Sequence, residues 1–354
     1  MKYRVVQWAT GNLGRAAIEG IVAHPELDLV GVWVHSDAKL GKDAGELAGI
    51  APIGVKATNS LEEVIALRPD CVLYSPLFAN TAEIERLLAA GINIVTPLNW
   101  FYPRHIKAEA LRAACEKGGT TLHGTGIHPG GMTERIPLML SSFSQKITGI
   151  RAEEFSDCRT YGATDVLRDW MNFGKPVDEA RESPLLGIMA EGFYQSIDMI
   201  ADEIGWKLDG KRSQVAIFPA TAPIESPIGT IQKGQLAAQR LSWEGIVEGR
   251  PVIQAIVNWY MGTTNIGGGW SVDDDGERYE LEIHGDPPLR VEIHGIHPTA
   301  GMALEELRQR NPGMVATANH CVSAIPYVCR AESGLRSYLD LPLVAGRAAP
   351  LEGS

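Results

Sequence analysis

Apolar positions along the first third of the chain alternate between two periods. Tyr3–Trp8 is apolar except for Gln7, as expected of a strand with both faces buried. Residues 12–24 place Leu13, Ala16, Ala17, Ile18, Ile21 and Val22 at helical spacing. The same reading predicts strands at 27–35, 70–74, 92–96 and 120–124, and helices at 62–67, 81–90 and 105–117. Short apolar strands separated by amphipathic helices imply a parallel sheet with helices on both faces. Beyond about residue 145 the segments lengthen and alternate, at 147–156, 214–220, 236–248, 278–284 and 290–297. That period predicts a mostly antiparallel sheet with one open face. Helices are expected at 183–204 and 303–310. Residues 314–329 also read as helical, followed by a tail rich in Leu, Pro and Gly.

The densest chemical signal follows the first strand. Ala9-Thr10-Gly11-Asn12-Leu13-Gly14 has the spacing G-x-G-x-x-G with alanine in the first place, and it opens a helix. Gly11 would let the backbone approach a pyrophosphate, Gly14 would let helix and strand pack closely, and the free N–H groups of the first helical turn would face the phosphates. The fold class expected is therefore α/β. A dinucleotide-binding (Rossmann) domain with a parallel sheet spans 1–145. An α+β domain with a mostly antiparallel sheet spans 146–310, and a C-terminal segment spans 311–354.

The second strand bears on which dinucleotide is bound. An NAD-preferring site usually ends it with an acidic residue on the ribose hydroxyls. Here it ends His35-Ser36-Asp37, with Lys39 and Lys42 following. Neutral and basic groups suit a 2′-phosphate, so NADP(H) is favoured, with NAD(H) as the alternative because Asp37 is close. A solvated loop whose lysines touch nothing is the bland reading.

Ligands of such sheets bind beyond the carboxyl ends of the strands. This makes Ser75, Thr96 and Asn99 candidates for the nicotinamide end. Residues 123–131 hold four glycines and a proline, which makes a shaped loop. Gly126 is placed there against the cofactor. His128 is the leading candidate for a proton donor or substrate hydrogen bond, against the alternative that it bonds to its own loop.

Bulk properties narrow the rest. A length of 354 residues suits two domains, and a net charge of −11 argues against nucleic acid and anionic membrane surfaces. The five cysteines are scattered and odd in number, with no C-x-x-C pair, so free thiols are expected and no metal site. The opening apolar run is too short for a signal peptide, and no stretch suits a membrane helix, so a cytoplasmic protein is expected. Asp273-Asp274-Asp275-Gly276 reads as a hairpin turn. His294 and His297 fall on opposite faces of a strand. Gly267-Gly268-Gly269-Trp270 reads as a loop.

The stretch 5–15, the strand end Val34-His35-Ser36, the 124–131 loop, Ala324-Ile325-Pro326 and Tyr338-Leu339-Asp340-Leu341-Pro342 together resemble the dihydrodipicolinate reductase-like group. That group includes 2,4-diaminopentanoate dehydrogenases and the native amine dehydrogenases. The resemblance implies a second domain that supports substrate binding and homodimer formation, and a C-terminal segment packed on the first domain. Amine-forming members reduce an imine made from a ketone and ammonia, and they carry a glutamate between the fifth strand and a Tyr-Pro pair. The matching stretch here is Pro97-Leu98-Asn99-Trp100-Phe101-Tyr102-Pro103, which holds no carboxylate and places Asn99 where the glutamate would stand. Asparagine can hydrogen-bond but cannot take a proton at neutral pH. His128 or Tyr102 would then supply the proton.

The expected function is NAD(P)H-dependent hydride transfer to a C=O or C=N bond of a small, largely apolar substrate, since Trp100, Phe101, Tyr102, Tyr161, Trp170 and Phe173 are candidates to line a pocket. The alternatives are an amine dehydrogenase using another acid (Asp165, Asp169 or Glu134) and a non-catalytic NADP(H) sensor.

Overall fold

The computed structural model describes residues 2–181, 184–272, 277–295 and 303–348. It comprises two compact units, Met1–Gly130 with Met314–Ser354, and Gly131–Gly313.

The first unit opens with β1 (Tyr3–Trp8), α1 (Asn12–Ala23), β2 (Leu27–Trp33), α2 (Ala44–Ala48), β3 (Ala57–Thr58), α3 (Leu61–Ala66), β4 (Cys71–Tyr74), α4 (Thr81–Ala89), β5 (Asn93–Thr96), α5 (Glu109–Gly118) and β6 (Thr121–Gly124). The second holds α6 (Ile136–Ser141), β7 (Gln145–Asp157), α7 (Val177–Ala180), α8 (Leu185–Ile204), β8 (Gly210–Pro219), β9 (Ile224–Ser226), β10 (Gly229–Ile231), β11 (Leu236–Val247), β12 (Arg250–Tyr260), β13 (Arg278–Asp286), β14 (Leu289–Ile293) and α9 (Leu304–Gln309). The chain then runs through α10 (Pro312–Val328) to β15 (Gly334–Arg336) in the first unit.

The first unit's sheet has the order β15-β6-β5-β4-β1-β2-β3, with every pairing parallel. Both faces are covered, which is why Val5 and Val6 are both fully buried in successive positions. Val5 packs with Ile18 and Ile21 of α1 and Val322 and Ile325 of α10, whereas Val6 packs with Leu87 and Leu88 of α4 and Leu111 of α5. The helix expected at 105–117 begins only at Glu109, because its cap residue Ala108 is non-helical.

The second unit's sheet runs β14-β13-β7-β12-β11-β8, with β7 and β12 parallel and the other four pairings antiparallel. One face packs on α8, where Phe193 stacks on Trp243 at 4.1 Å between ring centroids. The other face carries ion pairs, among them Arg151 with Glu282 at 2.8 Å and Arg240 with Glu153 at 3.0 Å.

Three features differ from the sequence reading. The first unit ends at Gly130, not at residue 145, because α6 packs on β7 and β13 of the second sheet. β12 was not picked out by alternation: it is a central strand whose residues from Ile253 to Tyr260 are almost all buried, so its pattern is nearly continuous. β15 lies in the stretch read as a tail and becomes the edge strand beside β6. The hairpin expected at 273–276, residue 183 of the long helix, and His297 lie outside the described residues.

All five cysteines are free thiols. Among the described residues no helix is long and apolar enough to cross a membrane, and no cluster of three or more His, Cys, Asp or Glu could hold a metal ion.

Candidate active site

The first unit's parallel sheet changes direction at β1: the chain goes outward to β2 and β3, then returns to β4 on the other side. Such a switch leaves a crevice at the carboxyl ends of β1 and β4, where dinucleotides bind. Ala9 leaves β1 there in the left-handed region, with φ 74°. This conformation costs an L-residue about 1 kcal/mol. Local bonds offset it: Ala9 N–H donates to Trp33 O at 2.9 Å, and Ala9 O accepts from Gln7 Nε2 at 3.0 Å.

Gly14 is forced by that geometry, since a Cβ on it would lie 2.2 Å from Ala9 O. Gly11 caps α1 in extended conformation, is exposed, and would have nothing within 4 Å of an added Cβ. No side chain caps this helix among the described residues, so the N–H groups of Asn12, Leu13 and Gly14 lie at a helix start open to an anion. These features fit a pyrophosphate.

The second-strand end lies alongside. His35 and Ser36 are exposed, with the His35 ring edge-on to Trp33 at 6.3 Å. Lys39 Nζ donates to Thr10 Oγ1 at 3.0 Å and to Thr10 O at 3.3 Å. The lysine therefore places its charge on the phosphate turn itself. Asp37 accepts from Asn59 Nδ2 at 3.0 Å, away from Thr10.

Ser75 follows β4. Its hydroxyl donates to Trp8 O at 3.1 Å and accepts from Gln7 Nε2 at 2.9 Å. Gln7 therefore fastens both strand ends that flank the crevice. Sequence reasoning did not select Gln7 as a site residue, although a lone amide inside an apolar strand was its visible signal.

Thr96, Asn99 and Gly126 come together at the ends of β5 and β6. Thr96 is fully buried; its carbonyl accepts from Thr125 N–H at 2.9 Å and its Oγ1 from Leu98 N–H at 3.3 Å. The half-buried Asn99 accepts from Trp100 N–H at 2.8 Å through Oδ1. A Cβ on Gly124 would be 2.1 Å from Asn99 O, and one on Gly126 would be 3.0 Å from Pro129 O and 3.8 Å from Pro97 Cβ. The two loops are thus packed backbone to backbone. His128 is half-buried in extended conformation within the second loop, at φ −149° and ψ 93°. Tyr102 is only 1% exposed, with Arg104 over its ring at 5.1 Å and His105 edge-on at 5.6 Å.

The C-terminal segment braces this loop within the first unit. Tyr338 OH hydrogen-bonds Thr125 Oγ1 and lies 2.8 Å from His320 Nε2. His123 Nδ1–H donates to Arg336 O at 2.7 Å. Thr125 and Tyr338, like His123 and Arg336, are 213 residues apart in sequence, so only the fold reveals these pairs. In the second unit, Asp165 and Asp169 are exposed, while Glu134 is fully buried.

Comparison with known proteins agrees with this architecture. Residues 132–351 match the model of the 2,4-diaminopentanoate dehydrogenase C-terminal domain, and residues 5–96 match that of the dihydrodipicolinate reductase N-terminus. An amine dehydrogenase of Streptomyces virginiae is 33% identical over 96% of each chain. A 2,4-diaminopentanoate dehydrogenase of Acetoanaerobium sticklandii is 24% identical over 97% of this chain and 94% of its own. The solved amine dehydrogenase of Mycobacterium smegmatis shares the fold, with a TM-score of 0.77 and 21% identity over 98% of both chains. With an open helix start on a Rossmann sheet and relatives matched along nearly its whole length, the chain belongs to the 2,4-diaminopentanoate dehydrogenase family and is an NAD(P)-dependent oxidoreductase.

Proposed function

We propose that the protein transfers hydride between a nicotinamide cofactor and the carbon of a C–N bond in a small, largely apolar amine or its imine. The observation that carries this reading is the 33% identity, over 96% of both chains, to a protein named as an amine dehydrogenase. The cofactor, when bound, supplies or accepts the hydride. The N-terminus of α1 and Gly11 hold its pyrophosphate, Lys39 faces the 2′-phosphate of NADPH, and Ser75, Thr96 and Asn99 border its nicotinamide end. His128 gives a proton to the substrate nitrogen in reduction and takes it back in oxidation. Asn99 fixes the substrate by hydrogen bonding and leaves acid chemistry to other groups. On the family resemblance the working assembly is a homodimer.

A carbonyl reductase is the second reading, favoured by Asn99 where amine-forming relatives are expected to carry glutamate. Following NADPH oxidation with aldehydes and ketones, with and without ammonium, separates the two. Turnover that requires ammonium supports the amine reading, and equal turnover without it supports carbonyl reduction. Tight cofactor binding with no turnover across carbonyls, amines and ammonium would identify a sensor.

The preferred cofactor in this reading is NADPH, because Lys39 follows the neutral second-strand end His35-Ser36 and reaches Thr10 of the phosphate turn. Lys39→Ala should raise the Kd for NADPH about tenfold, the loss of one charge-assisted bond, and leave NADH nearly unchanged. Tryptophan-quenching titration reads both constants. Equal weakening of both would mean that Lys39 acts only by bracing Thr10.

A further inference from the structure

The loop that carries His128 begins and ends at one hydroxyl of the first unit. Thr125 starts the loop directly after β6 and is fully buried. Its N–H donates to Thr96 O at 2.9 Å, its Oγ1 hydrogen-bonds Tyr338 OH, and its carbonyl accepts from Cys321 Sγ at 3.9 Å. Gly130 ends the loop. A Cβ built on Gly130 would lie 3.4 Å from Tyr338 OH and 3.7 Å from the carbonyl carbon of Thr125. The two ends of the loop therefore meet, and the phenol oxygen of Tyr338 stands where they meet.

The phenol is itself held in place. His320 Nε2 lies 2.8 Å from its oxygen, and the His123 ring meets its ring edge-on at 5.3 Å. The short turn Tyr338–Asp340 that bears it is capped: Leu339 N–H donates to Ser337 Oγ at 3.3 Å, and Ser337 N–H donates to Asp340 Oδ2 at 2.8 Å. Pairing of β15 with β6 fixes that turn beside the loop. A phenol has one proton to give, so a neighbour on each side, His320 and Thr125, sets the direction of its O–H bond.

We infer that Tyr338, oriented by His320, is a positioning residue that sets the place of His128 by closing loop 125–130 through the Thr125 hydroxyl. The inference rests on the proposed role of His128 as proton donor. His128 lies in the middle of a loop closed at its ends, so a shift at the closure is passed on to it. Proton transfer requires hydrogen-bond reach, and a misplacement of about 1 Å costs up to roughly 100-fold in rate. The pyrophosphate is held at α1, outside this loop, so cofactor affinity should respond little.

Tyr338→Phe keeps the ring and its contact with His123 and removes only the hydroxyl. Hydrogen–deuterium exchange on the full-length protein, which needs no substrate, should show the amides of 125–130 exchanging about tenfold faster in this variant, with β1 and α1 unchanged. In reduction of butanal and butanone by NADPH with ammonium chloride, kcat should fall at least about tenfold, while KM and the NADPH Kd stay within about twofold. Thr125→Val is the second variant should Tyr338→Phe not fold, and it should show the same split. Thr125→Ser, which keeps the hydroxyl, should retain most of the activity that Thr125→Val loses. The double variant Tyr338→Phe/Thr125→Val should be no slower than the worse single one, because both remove the same bond. Equal losses in kcat and cofactor affinity, additive losses in the double variant, or faster exchange spread across the first unit would make Tyr338 structural only and overturn the inference. Turnover indifferent to the Tyr338 hydroxyl removes this role alone, whereas a protein that transfers no hydride to carbonyls or from amines removes the proposed function and this role with it.

Discussion

Gly11→Val should leave the protein folded and weaken dinucleotide binding at least about 100-fold. The residue's φ of −70° and ψ of −173° are extended values that valine adopts freely, and nothing lies within 4 Å of the new Cβ. The fold therefore has no reason to change. The isopropyl group would instead stand where a pyrophosphate must approach the first turn of α1. Losing two charge-assisted hydrogen bonds, at about 1.5 kcal/mol each, is about 3 kcal/mol, or roughly 100-fold in Kd. Fluorescence titration with NADPH and NADH measures the loss, and circular dichroism checks the fold. Unchanged affinity would remove the fingerprint as the binding site. Gly14→Ala makes the contrasting case: its Cβ would meet Ala9 O at 2.2 Å, so the turn itself must move and the melting temperature should fall as well.

His128→Asn should reduce kcat about 100-fold while the cofactor Kd stays within roughly twofold. General acid–base groups contribute on the order of 10²–10⁴ in rate, and asparagine keeps a hydrogen bond but moves no proton. The substitution sits in a loop where Gly126 lies close to Pro129 O and Pro97, contacts that do not involve the imidazole. Steady-state kinetics with the cofactor Kd measured separately would distinguish the roles. Parallel losses in both constants would assign His128 to the loop's structure.

The crevice was legible in the sequence to different depths. Gly11 could be placed at the helix start and the close packing at Gly14 could be read, because both are local: a strand, a turn and a helix start lie within a dozen residues. Ser75, Thr96 and Asn99 could be placed at strand ends, since the alternation of strand and helix dictates which ends share an edge. What each side chain does there could not be read. Thr96 Oγ1 is used by Leu98 N–H, and Lys39 reaches back to Thr10.

Other features were hidden for the same physical reason. β12 shows nearly continuous apolar character because it is a central strand whose residues from Ile253 to Tyr260 are almost all buried, so the two-residue period is lost. β15 is three residues long and is held by its pairing with β6 and by Leu335 in the core. The sequence by itself determined the α/β order, the dinucleotide fingerprint and the change to a second, mostly antiparallel sheet, because each depends on neighbours within a few turns of chain. The tertiary structure alone decided that Gln7 ties two strand ends and that Tyr338 braces the His128 loop. Those properties depend on burial and on partners distant in sequence, and a residue's own letter carries neither.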